Sequence, residues 1–172
     1  MSYSTVAYSL VLSEVQAISL PEKEELIRVA LDERDFRDEA EQAFQHQVLL
    51  AIFGSGPPPS EVPYMLTHAF RSVCSFFARP IPTPIEMPAI HELCLDTTFG
   101  LNPPPFGFTH VDENVSYMTY HAMLRERPLL DECDREPLTF PDAEFVLEYR
   151  KVFLSWFDFC LERKSDLLSI EM

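Results

Sequence analysis

The chain has 172 residues, of which 47% are apolar and 14 are phenylalanine, enough to bury a core of one domain without disulfide help. Its formal charge is −15, from 28 acidic and 13 basic side chains, which speaks against direct nucleic-acid binding and against docking on an anionic membrane. Both need clustered Lys and Arg, and the 4 glycines against 15 prolines equally disfavour barrels and sandwiches built on repeated tight turns.

The opening residues carry no basic n-region and only a short, broken apolar run, so no signal peptide is expected. No stretch approaches the length of a membrane span. Cys74, Cys94, Cys133 and Cys160 lie far apart without a CxxC pair. Reduced thiols and a cytoplasmic protein are expected from that spacing.

Over residues 3–12, Val6, Tyr8, Leu10 and Leu12 alternate with Thr5, Ala7, Ser9 and Val11. Period two with small residues on one face predicts a strand covered by helices. Ser19 and Glu22 then stand at capping-box spacing and open a helix with Leu26, Ile27, Ala30 and Leu31 inward. A second helix is expected from about Asp35 to Phe53, stopped by Gly54, with Phe36, Ala40, Ala43, Phe44, Val48 and Ala51 as its inner stripe. "GSGPPPSEVP" reads as a loop. A third helix follows, with Met65, Leu66, Ala69, Phe70, Val73, Phe76 and Phe77 on one face.

"RPIPTPIEMP" (79–88) forbids a helix and predicts an extended crossing. "AIHELCLDTTF" reads as a short helix and "GLNPPPFGF" as a break. Asp112 is placed to cap a helix running to about Arg127. The last helix, 141–164, sets Glu144, Glu148, Lys151, Ser155, Asp158 and Glu162 on one stripe. Phe145, Tyr149, Val152, Phe153, Trp156, Phe159 and Cys160 fill the other, as expected of the central helix of a core. "DLLSIE" then closes the chain as a strand. The pattern is that of one domain over 1–172, α+β and mainly α, a helical core with a small sheet formed by N- and C-terminal strands.

The densest chemistry is "HELCLD", residues 91–96. A zincin helix needs H-E-x-x-H, and the fifth position here is Leu95. His91 and Cys94 could share a helix face as two zinc ligands. The other two would have to come from Cys74, Cys133, His110 or His121, with no second local pair to supply them. The residues read instead as one packed stretch with solvated carboxylates, and no metal or cofactor is expected. Cys74 and Cys160 lie beside apolar stripes and Cys133 lies among carboxylates, so none looks like an activated thiolate. His110, Asp112, Glu113 and His121 cluster in sequence, and a histidine–carboxylate site around His91, His110 and His121 is the enzyme alternative. No catalytic residue is assigned.

Acidic runs are what remains. "LDERDFRDEAEQ" and "LLDECDREPLTFPDAE" carry Asp32, Glu33, Asp35, Asp38, Glu39, Asp131, Glu132, Asp134 and Glu136, the candidate partner-binding residues. Negative charge of this density steers a molecule onto a basic protein partner, for instance a toxin or a nuclease's substrate groove. Arg34, Arg37, Arg127 and Arg135 dilute it. The bland alternative is a set of solvated helix faces.

Three stretches, "MSYSTVAYSLVLSEVQAI", "AIFGSGPPPSEVPYMLTHAFRSVCSFF" and "FLSWFDFCLERKSDLLSIEM", resemble an uncharacterised bacterial family of small acidic proteins, a domain of unknown function. "MPAIHEL" resembles a short Pro-containing segment between them. The resemblance implies an opening strand, a closing Trp-bearing helix and a final strand. It further implies an immunity- or defence-associated partner role, with no catalytic residues to carry over. The expectation is a non-enzymatic cytoplasmic protein that occludes a basic protein, with a self-associating homo-oligomer built on the aromatics as a third reading.

Overall fold

The computed structural model describes residues 5–59, 66–83, 105–108, 114–133 and 143–171, with backbone alone for 129–133 and 143–147. Among them are four strands, β1 (Thr5–Leu10), β2 (Arg79–Pro80), β3 (Val115–Met118) and β4 (Asp166–Glu171). Six helices accompany them: α1 (Leu12–Ala17), α2 (Leu20–Asp32), α3 (Glu39–Ile52), α4 (Leu66–Phe77), α5 (Tyr120–Cys133) and α6 (Ala143–Arg163). The fold is α+β and mainly α.

The strands form one antiparallel sheet of order β2-β1-β4-β3. The C-terminal strand is therefore central, clasped between the N-terminal strand and β3. Its register sets two kinds of row across the sheet. On one face Tyr8, Leu168 and Tyr117 align, as do Val6, Ile170 and Val115. On the other, Ala7, Ser169 and Ser116 align.

The large row faces α1, α2, α3 and α4, joining a core with Val15, Ile27, Val48, Leu49, Ile52, Phe53, Phe70 and Val73. The small row lies on the face of a second core made by α5 and α6, where Ala7 and Leu167 meet Met123, Phe153, Trp156, Phe157 and Cys160. Small sheet residues under an aromatic helix interdigitate as close packing requires. Phe153 packs against Phe157 with the rings tilted by 50° and 4.9 Å between centroids, and the Trp156 indole N–H donates to Thr83 Oγ1 at 3.2 Å. The predicted polar stripe of α6 is exposed wherever its side chains are described, at Glu148, Lys151, Ser155, Asp158 and Glu162.

Local signals set the helix ends. The Ser19 amide donates to the Glu22 carboxylate at 3.0 Å and the Ser19 side chain takes the Glu22 amide, the two legs of the predicted capping box, while the Ser19 hydroxyl also donates to that carboxylate at 2.6 Å. Asp38 Oδ1 accepts the Glu41 amide at 2.8 Å and starts α3. Gly54 ends it with φ +69°, and the Ser55 amide reaches back to Leu50 O at 2.8 Å, the wrap that a left-handed residue allows.

The elements differ from expectation in four places. Residues 12–17 form a short helix, α1, that buries Val15. On α3 the buried side is Gln45, Val48, Leu49, Ala51 and Ile52, while Ala40 and Ala43 are exposed. The helix packs by its bulkier side, which removes more apolar area from water than two alanines could.

Residues 115–118, expected within a helix, are strand β3, every residue buried. A Val-Ser-Tyr-Met segment with β-branched and aromatic members suits a sheet covered on both faces. Its helix begins only at Tyr120, where Thr119 Oγ1 accepts the Ala122 amide at 3.1 Å, and it runs through Pro128 to Cys133. The extended crossing after Arg79 starts as β2, an edge strand on β1, the place where proline is tolerated in a sheet. Asp112, the short helix expected at "AIHELCLDTTF" and most of "GLNPPPFGF" lie outside the described residues.

Candidate functional site

The first acidic run folds into the corner between α2 and α3. Asp32, Glu33, Asp35, Asp38 and Glu39 are all solvent-exposed there. Asp32 Oδ2 accepts Arg28 Nη1 at 2.7 Å, and Asp38 is occupied in capping α3. Glu33, Asp35 and Glu39 make no ion pair among the described residues and face water.

The two arginines within this run do not neutralise it evenly. Both converge on Glu41, whose side chain is 8% exposed. Its carboxylate accepts Arg34 Nη2 at 3.2 Å, the Arg37 amide at 2.7 Å and Arg37 Nε at 3.2 Å. The backbone hydrogen bond from Arg37, followed by the Arg37 side chain and both positive charges, holds the Glu41 carboxyl below the usual carboxylate range. Arg34 also lies over the Phe36 ring at 5.4 Å, and its Nη1 is buried without a hydrogen-bond partner. One inward carboxylate thus occupies the guanidinium of Arg34 and part of that of Arg37, and the outward acids keep their field.

A second feature was not foreseen. Ile18, Pro21, Glu22, Glu25, Leu26, Ser75, Phe76 and Phe77 line an open groove of about 640 Å³ between the start of α2 and the end of α4. Leu26, Phe76 and Phe77 had been expected to face the core, and they are half-buried against it. Leu20, beside the groove in sequence, is 60% exposed. A leucine followed by proline ahead of a helix was the sequence signal available, but it is also an ordinary helix start.

Of the second acidic run, Asp131 and Glu132 lie on the backbone of α5 with undescribed side chains, and Asp134 and Glu136 lie outside the described residues. So do His91, Cys94 and His110. His121 sits in the first turn of α5, exposed, with its ring edge-on to Tyr120 at 5.4 Å. Among the described residues no three His, Cys, Asp or Glu side chains gather as metal ligands would.

Cys74 and Cys160 are buried thiols. Burial pushes Cys74 up to about 12 and Cys160 to about 11, so neither is a thiolate near neutrality. Cys160 joins a polar seam in the α6 core. Ser9 and Ser165 hydroxyls meet at 2.6 Å, and the Cys160 thiol donates to Asp166 O at 3.6 Å. Asp166 itself accepts the Tyr117 hydroxyl at 3.0 Å and the Tyr120 amide at 2.7 Å, pinning the β3–α5 corner to β4. This seam is structural, filled by its own partners.

No protein-family model matches the chain, and no curated protein or solved structure is significantly similar to it. No helix among the described residues is long and apolar enough to cross a membrane.

Proposed function

We propose that the chain is a non-enzymatic binding protein that steers onto a more basic protein by its negative surface and occludes it. The observation that carries this reading is the α2–α3 corner. Glu33, Asp35 and Glu39 point to water with no ion pair among the described residues, while Arg34 and Arg37 bend toward Glu41. The formal charge of −15 extends that field over the molecule. The likeness to small acidic proteins suspected of immunity roles points to the same class of partner, a toxin-like or nuclease-like basic protein acting in the cytoplasm.

Capture from the source cells at low salt supplies the partner, and stopped-flow association then tests the mechanism. The association rate falls steeply as salt rises, and Glu33→Lys, Asp35→Lys and Glu39→Lys together slow it with little change in dissociation. Asp131→Lys, Glu132→Lys and Asp134→Lys test the second run in the same way. An association rate indifferent to salt rejects steering.

A further inference from the structure

We propose that the groove between α2 and α4 is the anchor site for a basic amphipathic helix of the partner, whose apolar side chains fill the groove while flanking Lys or Arg meet Glu22 and Glu25. The inference rests on the binding reading above and adds where the partner docks and with what chemistry.

The groove floor is apolar, made by Ile18, Leu26, Phe76 and Phe77. Among the described residues its charged lining is Glu22 and Glu25, the second of them paired on its outer side with Arg28 at 2.6 Å. Both carboxyls are held below the usual range, Glu22 by the Ser19 hydrogen bonds and Glu25 by the Arg28 guanidinium, so both are anionic at neutral pH. An occupant with apolar side chains and cationic flanks complements this lining. The volume of about 640 Å³ is typical of ligand sites, but the groove is largely open to solvent. An open apolar surface between two helices suits a helix laid on it better than an enclosed small molecule. Charge steers a partner and an apolar anchor holds it, and the corner at Asp35 supplies only the first.

The test uses the full chain and labelled peptides of defined composition, read by fluorescence anisotropy. The probe is a helix of about 18 residues made of Lys, Ala and Leu, with Leu at i, i+3, i+4 and i+7. Its controls replace every Leu by Ala, or every Lys by Glu. The expected result is that the Lys/Leu helix binds and both controls bind at least about tenfold more weakly.

Phe76→Ala is the obvious variant but removes core contacts, so Ser75→Arg is the decisive one. Ser75 is exposed on the groove wall, and arginine there puts a cation among the carboxylates. Ser75→Arg weakens the Lys/Leu helix about tenfold, whereas Asp35→Arg, a larger charge change at the corner, weakens it less than about twofold. Equal losses from the two variants, or equal binding by the Lys/Ala peptide, overturn the groove and leave charge steering standing. Equal binding by the Glu/Leu helix overturns the charge complementarity. Failure of every peptide to bind overturns the inference, and so does a dimer in sedimentation that Ser75→Arg abolishes, since the occupant is then a second copy.

Discussion

Asp35 and Asp38 stand three residues apart in one acidic run, both exposed, yet only Asp38 has a task in the fold. Its carboxylate caps α3, and capping aspartates are worth about 1 kcal/mol, so Asp38→Ala lowers stability by about that amount. Asp35→Ala changes it by less than about 0.5 kcal/mol, and urea midpoints separate the two. Gly54 makes a similar point about backbone. A Cβ there meets nothing within 4 Å, so the whole cost of Gly54→Ala, about 1–2 kcal/mol, comes from φ +69°.

The buried acids give a pH dependence. Cys74 and Cys160 are raised to about 12 and 11, and Tyr117 is raised by burial and then by the Asp166 charge and hydrogen bond. In each the neutral form is favoured by the fold, so the unfolded chain gives up these protons first. The stability these three groups contribute is full below about pH 8 and falls as pH climbs from the ordinary thiol range through the raised values. Urea midpoints at rising pH report the loss, and Tyr117→Phe and Cys74→Ala each flatten the slope. The same burial makes both thiols slow toward a disulfide reagent. In a chain carrying Cys94→Ser and Cys133→Ser, labelling at neutral pH proceeds only as fast as opening of the fold.

At the scale of elements, α6 was legible because one long amphipathic period dominates it, and α4 because its apolar spacing is nearly ideal. Strand β1 was legible for its alternation and α2 for its Ser19–Glu22 box, while "DLLSIE" was read as a closing strand from its short apolar run after the last helix. What was not legible depended on partners distant in sequence. Strand β3 has four residues, no alternation of polarity, and an identity fixed by pairing with β4 some fifty positions on. Asp166 is a strand residue in sequence and a corner staple only once Tyr117 and Tyr120 arrive.

The consequence for α6 is measurable. Phe157 is fully buried in the core it shares with Phe153 and Trp156. Phe157→Ala costs about 3–5 kcal/mol, while Lys151→Ala on the exposed stripe costs less than about 0.5 kcal/mol. The site divides the same way. The acidic corner could be found by counting charges, but the groove required α2 and α4 to be brought together, and residues chosen for the core turned out to line it.

For the whole molecule the decisive quantity is the excess of acids. Surface pairs such as Arg28 with Glu25 and Asp32, and Arg127 with Asp158, are weakened by salt and contribute little. Against them stand 28 acids and 13 bases, so even complete pairing leaves 15 uncompensated charges that repel one another in the folded state. Screening relieves that repulsion over a Debye length of about 10 Å at 0.1 M salt. The two effects oppose, and the larger number wins. Raising sodium chloride from about 0.01 to 0.3 M therefore increases the urea midpoint while it slows association with a basic protein. A midpoint that falls with salt would mean that ion pairs outweigh repulsion and that the acids are internally compensated. The exterior would then lack the field that steering onto a basic partner requires.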